Sequence, residues 1–277
     1  GGEISDFSWQ YGGMNIALAV QSSMYLATIR PNYMWSFFGD TLVYSFNVGQ
    51  KGYCVVFWDT KNYTKHVKFV ENLLFVSAAG QNCLLIVQTE KMDIDTHLNT
   101  MQYVLVLCNT IGDVVDSKII PMVPKFVTMT QYHAIVSSDD FIFLWQYCTP
   151  ASVITSLEQK WHSLRQEAGS RTLIFHVNDK DMSNLSEFEK DSRADTESIC
   201  CLTANSKYLL VGRESGMVLR YTLPRLSLEG EYVVGVHPLL LKINCSSTIM
   251  SIIDVSSAVT LFDFGKGGGL DLQGSMP

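Results

Sequence analysis

Residues that could act as catalysts or metal ligands are scattered along this 277-residue sequence rather than clustered. Histidines bind zinc when they recur at a fixed spacing, as in His-Glu-x-x-His, but the six histidines show no such spacing. Two Asp-x-Asp pairs, Asp93 with Asp95 and Asp179 with Asp181, lack the glycine and glutamate that complete a calcium loop. The sequence also has no phosphate loop, dinucleotide fingerprint or nucleophile elbow. It therefore predicts no enzyme activity, no metal site and no cofactor.

The seven cysteines are odd in number and include no Cys-x-x-Cys motif. Most of them lie in or beside apolar runs, and Cys200 and Cys201 are adjacent. A chain that can build its own hydrophobic core needs no disulfide framework, so we expect buried free thiols in a reducing cytoplasm.

Residues typical of protein-binding sites are easier to find in the sequence than catalytic residues. Aromatic residues and arginine contribute most of the binding energy at protein interfaces. Arg30, Tyr33 and Trp35 occur together in a run that also contains Pro31. Proline argues against a central strand, so we expect an aromatic loop at this position. Such a loop either forms part of a protein interface or folds back onto its own sheet.

A second candidate is Trp161, in the one segment with helical periodicity. From Ile154 to Ala168 the apolar residues recur at spacings of three and four, which places them on one helix face. Ser152 could cap the start of this helix and Gly169 its end. The helix either packs against the edge of a sheet or presents Trp161 to a partner.

The remaining composition favours a large β domain. Hydrophobic residues make up 47% of the chain and charged residues 17%, which is enough to bury a sizeable core. The net charge of −7 gives no basic footprint, so we expect no nucleic-acid partner. We also expect no membrane span, because no run of about 18 apolar residues occurs. The apolar runs are short and rich in Val, Ile, Leu, Tyr and Phe, which is typical of strands.

These runs group in threes, and the third run of a group carries an aromatic residue near its end. Examples are Phe57-Trp58-Asp59, Leu144-Trp145-Gln146, Arg220-Tyr221 and Leu261-Phe262-Asp263. The position resembles the Trp-Asp that closes the third strand of a WD-repeat blade. Strands that are apolar on both faces suit stacked propeller blades, whereas a β-sandwich would alternate polar and apolar positions. We therefore predict an all-β, WD40-like β-propeller that is incomplete, with about five blades and one short helical insertion.

The predicted organisation is simple. The propeller region covers residues 1–264 and contains the helix at 154–168 and an acidic loop at 178–198. The Gly-rich segment 265–277 is predicted to be a disordered tail.

Several segments carry a more specific resemblance, and Tyr53–Asn62 is the longest of them. Others are Ile4–Trp9, Ile29–Tyr33, Val104–Asn109 and Val211–Gly216. In this order they resemble the WD repeat-containing protein 35 family, WD-repeat subunits of intraflagellar transport complex A. The resemblance implies that the chain covers the end of a first propeller and most of a second, with further blades and an α-solenoid beyond it.

The resemblance also implies a function. We expect a non-catalytic, protein-binding scaffold that supports retrograde ciliary transport, ciliary entry of membrane cargo and cilium assembly. The implied partners are the other subunits of the complex and, indirectly, ciliary membrane cargo. The implied locations are the cytoplasm, cilium, ciliary basal body and cytoskeleton. The alternatives are a related coat subunit, a propeller enzyme, and a stand-alone peptide- or ubiquitin-reading propeller with a polar pocket in a closed ring.

Overall fold

The computed structural model describes residues 4–9, 15–28, 33–92, 99–148, 171–177, 197–265 and 268–270. The helix predicted at 154–168 and the acidic loop, apart from residues 197–198, lie outside these ranges. Within them the chain forms strands, joined by turns, and a short 3-10 helix at Gly49–Lys51. No helix in the described part of the chain is both long and apolar enough to span a bilayer.

The strands form six antiparallel sheets. The first has three strands: β1 Ile4–Trp9, β2 Asn15–Val20 and β3 Ser23–Thr28. The second has four: β4 Met34–Phe38, β5 Thr41–Asn47, β6 Tyr53–Asp59 and β7 Lys65–Val70. The third contains β8 Leu73–Ala79, β9 Asn82–Met92, β10 Asn99–Cys108 and β11 Val114–Ile120. The fourth contains β12 Phe126–Met129, β13 His133–Ser137, β14 Phe141–Gln146 and β15 Arg171–His176. The fifth contains β16 Ile199–Ala204, β17 Tyr208–Arg213, β18 Met217–Thr222 and β19 Leu228–Val233. The sixth contains β20 Pro238–Ile243, β21 Ile249–Asp254, β22 Val259–Asp263 and β23 Gly268–Leu270.

Each sheet is an up-and-down meander in which strands adjacent in sequence are adjacent in space. Hydrogen bonds within the turns stabilise this arrangement, as at Asn205 between β16 and β17. The Asn205 side-chain oxygen accepts hydrogen bonds from the backbone N–H groups of Lys207 and Tyr208, both at 2.9 Å. Its side-chain amide also donates at 2.7 Å to the Oγ of Ser247, in the turn between β20 and β21, so this hydrogen bond connects the fifth and sixth sheets.

The five four-stranded sheets stack through their first strands. β4 contacts β8, β8 contacts β12, β12 contacts β16, and β16 contacts β20. A separate hydrophobic cluster fills each of the four spaces between neighbouring sheets. This arrangement is that of consecutive propeller blades, in which each sheet buries its two faces against its neighbours.

The near-continuous apolar strands follow from this stacking, because one strand supplies two cores. On β9, Cys83 and Leu85 pack toward the β4–β7 sheet, whereas Leu84 and Ile86 pack toward the β12–β15 sheet. All four side chains are completely buried. Alternation still operates at period two, but both sets of positions must be apolar.

The fold prediction is therefore confirmed: the chain is an all-β, partial propeller with five four-stranded sheets and one three-stranded sheet. The aromatic residues expected near the ends of third strands do lie on third strands, β6, β14, β18 and β22.

The tail prediction differs from the structure at one place. Gly268–Leu270 forms β23, which pairs with Leu261–Asp263 of β22. Pairing at the edge of a sheet uses backbone hydrogen bonds, so a Gly-rich sequence can add a short strand without contributing side chains to a core.

Candidate protein-binding surface

Two of the four predicted binding residues lie in the described part of the chain. Tyr33 immediately precedes β4 and is exposed, and Trp35 lies within β4 with 64% of its surface exposed. Arg30 and Trp161 are outside the described residues. The prediction of a loop at Trp35 was wrong, because Pro31 constrains only its immediate neighbours and leaves Met34–Phe38 able to pair with β5.

Trp35 belongs to a larger apolar surface, which we call the outer face of the β4–β7 sheet. Alternation along β4 directs Met34 and Phe38 toward the β8–β11 sheet and leaves Trp35 and Phe37 on the other side. The strand register places these residues on that side with them: Leu42, Tyr44, Phe46, Cys54, Val56, Trp58, Lys65, Val67 and Phe69. Ten of these eleven side chains are apolar or aromatic.

The centre and the rim of the outer face differ in exposure. Cys54 and Val56, on the central strand β6, are buried by their neighbours on the same face. Trp35 and Phe37 on edge strand β4, and Phe69 on edge strand β7, are more than half exposed. An aromatic side chain carries about 150–250 Å² of surface, so these three alone expose roughly 300 Å². With the neighbouring aliphatic groups, the outer face reaches the size of exposed patch that marks an interaction site.

Local contacts hold several of its side chains in place. The rings of Tyr44 and Phe46 stack with their centroids 6.4 Å apart. The Lys65 ammonium lies over the Trp58 ring, 5.4 Å from the centroid, which orients the only charged group of the face. Binding to a face that is ordered in advance loses less side-chain entropy.

The outer face is the counterpart of surfaces that are covered elsewhere in the molecule. Each of the four contacts between neighbouring four-stranded sheets buries two such faces. Within the described residues, β1–β3 makes no extensive contact with any other strand and leaves the outer face open. Its shape and chemistry therefore fit another β-sheet or an equally flat, apolar protein surface.

Sequence reasoning found Trp35 but missed Phe37, Val67 and Phe69. Their signal is the register, which brings alternate residues of four strands onto one surface. The apolar pattern of β4–β7 resembles that of the covered sheets, so it could not show which face lacks a neighbour.

The buried titratable groups His133 and Tyr147 form hydrogen bonds with a neighbouring residue, Thr130. His133 is buried, and its Nδ1 forms a hydrogen bond of 3.1 Å with Thr130 Oγ1. Burial lowers the pKa of His133 to about 4, because the charged ring is poorly solvated there. Tyr147 donates a hydrogen bond of 2.6 Å to the Thr130 carbonyl. Among the described residues no group of three or more His, Cys, Asp and Glu side chains is arranged to hold a metal.

Comparison with known proteins agrees with this architecture. A family described as WDR35 second beta-propeller matches residues 35–274 and so begins one residue into β4. WD repeat-containing protein 35 from Homo sapiens is 40% identical over 273 residues, and that from Rattus norvegicus is 38% identical over 267 residues. The aligned part is 95% of this chain but only 22–23% of these relatives.

Solved structures support the fold alone, because their sequence identity is low. Hsv2 from Kluyveromyces lactis superposes with a TM-score of 0.52 at 8% identity, covering 95% of this chain and 75% of that one. The β-propeller domain of Cps50 (Swd1) from Myceliophthora thermophila gives a TM-score of 0.52 at 11% identity, covering 91% of this chain and 71% of that one.

The start of the family match at residue 35 also separates β1–β3 from the stacked sheets, as expected if β1–β3 belongs to a preceding domain. The chain belongs to the WD repeat-containing protein 35 family, and its five stacked sheets match the second β-propeller of that family.

Proposed function

We propose that this chain is a non-catalytic, protein-binding scaffold within a subunit of intraflagellar transport complex A. In that role it supports retrograde ciliary transport, entry of membrane cargo into cilia and cilium assembly. Its direct partners are the other subunits of the complex, and it reaches ciliary membrane cargo through them. It acts in the cytoplasm and at the cilium, the basal body and the associated cytoskeleton. Family membership and the sequence resemblance support this proposal.

The observation that carries the scaffold role is the outer face of the β4–β7 sheet. The five stacked sheets provide a rigid body, and the outer face gives that body a flat apolar surface with ordered aromatic rings. Large aromatic side chains at the centre of an interface commonly contribute about 2 kcal/mol or more each to binding. In this proposal, Trp35 and Phe69 anchor a partner subunit on the outer face.

The test is capture of each purified subunit of intraflagellar transport complex A by the immobilised chain. The double variant Trp35→Ala/Phe69→Ala removes both anchors, and Val233→Ala is the matched control. Val233 is 74% exposed on β19, away from the outer face. We expect stoichiometric capture of one subunit, at least about 10-fold weaker binding by the double variant, and unchanged binding by the control.

Two results would argue against parts of the proposal. Failure of the folded wild-type chain to capture any subunit would refute a scaffold role for this region. Capture that the double variant retains in full would keep the scaffold role but move the interface away from the outer face.

A further inference from the structure

Strand β11, Val114–Ile120, is an edge strand of the third sheet. The strand order in this sheet is β11-β10-β9-β8, so β10 pairs with one side of β11. Within the described residues, β10 is also the only strand with which β11 makes extensive contact. An edge of this kind presents backbone N–H and C=O groups with which a further strand can pair.

The backbone of Ser117, at the centre of β11, identifies the open side. Its N–H donates a hydrogen bond of 2.7 Å to Oδ1 of Asp116, the preceding residue, rather than to a carbonyl of β10. In an antiparallel ladder, the N–H and C=O groups of one residue pair with the same neighbouring strand. Both backbone groups of Ser117 therefore face the open edge.

The side chains of β11 combine exposed aliphatic groups with two opposite charges. Val114, Val115 and Ile119 are each more than half exposed. Asp116 and Lys118 lie two residues apart, so they project from the same face of the strand. Neither charge forms a salt bridge with another described residue. The edge thus carries an acidic and a basic group that the single chain leaves without an ion pair.

The sequence of β11 is complementary to itself. By residue type it reads alike in both directions from its centre: Val114-Val115-Asp116-Ser117-Lys118-Ile119-Ile120. Antiparallel pairing of two copies, with their Ser117 residues opposite each other, places Asp116 of one copy opposite Lys118 of the other. The same register brings Val115 near Ile119 of the second copy. Directly opposite residues share a face with their Cβ atoms about 4.5–5.5 Å apart, where opposite charges and aliphatic pairs are stabilising.

We propose that β11 pairs with β11 of a second copy of this chain, which joins the two third sheets into one eight-stranded antiparallel sheet. A two-fold axis between the two Ser117 residues makes every contact occur twice. Each Ser117 N–H donates to the Ser117 carbonyl of the other copy and releases Asp116 to pair with Lys118. The bulge at Val115 and the proline after Ile120 restrict the pairing to the centre of the strand.

The charges on two other edge strands do not allow the same pairing. On β19, an antiparallel pair centred on Gly230 would place Glu229 opposite Glu231 of the second copy, and like charges in that position are destabilising. Strand β7 carries Lys65 and Lys68 but no acidic residue, so it offers no opposite charge to a second copy. Among these three edges, the charge pattern therefore favours β11.

The experiment is sedimentation equilibrium of the purified chain over a series of concentrations. A single pair of strands is a small interface, so we expect a reversible dimer with a dissociation constant in the micromolar range. Asp116→Lys and Lys118→Asp each place like charges opposite one another twice per dimer, and each should weaken dimerisation at least about 10-fold. An equimolar mixture of the two variants brings opposite charges together again and should restore wild-type affinity. Glu71→Lys, at an exposed turn residue, is the control with the same change in charge as Asp116→Lys and should dimerise normally.

Two further variants separate the β11 edge from the fold and from the outer face. Ser117→Pro removes the central donor, and proline is tolerated in an edge strand where the N–H faces away from the ladder. We expect it to keep the wild-type circular dichroism spectrum and to be monomeric. Trp35→Ala/Phe69→Ala, which alters only the outer face, should dimerise like the wild type.

Four results would each overturn the proposal. They are a wild-type chain that stays monomeric, a mixture of the two charge variants that associates no more tightly than either alone, a folded Ser117→Pro that still dimerises, and loss of the dimer in Trp35→Ala/Phe69→Ala. A monomeric wild-type chain that captures a partner subunit would leave the scaffold role intact, so the two proposals fail separately.

Discussion

Two adjacent phenylalanines on β4 provide a matched test of the sheet stacking. Phe38 is 3% exposed and packs in the core shared with the β8–β11 sheet, whereas Phe37 is 53% exposed on the outer face. Phe38→Ala removes a fully buried ring and leaves a cavity, at an expected cost of about 3–5 kcal/mol in the free energy of unfolding. Phe37→Ala removes a ring that folding only half buries, so the expected cost is about 1 kcal/mol.

Urea unfolding monitored by far-ultraviolet circular dichroism measures both changes. The two variants share residue type, strand and change in composition, so the difference between them reports only which face each ring occupies. We expect Phe38→Ala to be less stable than Phe37→Ala by at least about 2 kcal/mol. Equal costs, or a larger cost for Phe37→Ala, would show that the outer face is covered in the folded chain and would refute the assignment of the two faces.

Two further predictions concern packing and pH. Gly212→Ala places a methyl group against the Cys201 sulfur, and we expect a loss of about 1–3 kcal/mol with a lower melting temperature. A melting temperature equal to that of the wild type would contradict the close approach. His133 has a folded-state pKa of about 4, below its usual value of 6.5, so the unfolded chain binds the extra proton between these pH values. Stability should therefore fall as the pH drops from about 6.5 toward 4, by up to about 1.4 kcal/mol per unit from this residue. Urea midpoints of the wild type and His133→Gln across this window measure the effect, and an equally steep decline in both would exclude His133 as its source.

The sequence was sufficient to predict most of the strands and a propeller of about five blades, but not β4 or β23. Apolar runs such as Cys83–Gln88 lie within observed strands. Trp58 and Trp145 lie on the third strands of their sheets, as expected. These features are local, because each depends on residue type and spacing within one strand or one turn. The turn at Asn205 is local in the same sense, since its side-chain oxygen accepts hydrogen bonds from the backbone N–H groups two and three residues ahead.

The candidate sites depend on information that is not local. The outer face exists because no described sheet covers one side of β4–β7, and the apolar pattern of Phe37 or Phe69 does not reveal a missing neighbour. The contact between the Cys200 and Cys201 sulfur atoms at 3.9 Å likewise depends on a bulge, because simple alternation would have placed the two thiols on opposite faces. Pro31 led to an incorrect prediction, because it indicated a loop at a place where strand β4 begins three residues later.

The division of one strand between two cores has a consequence for cooperativity. An interior sheet such as β8–β11 is stabilised by two interfaces, whereas each terminal sheet of the stack has only one. Stability is then distributed as in a one-dimensional array, in which each unit depends on its nearest neighbours. Opening should therefore begin at the two ends and advance inward one sheet at a time. A partner bound to the outer face would supply the missing neighbour at one end and would raise the stability of the entire stack.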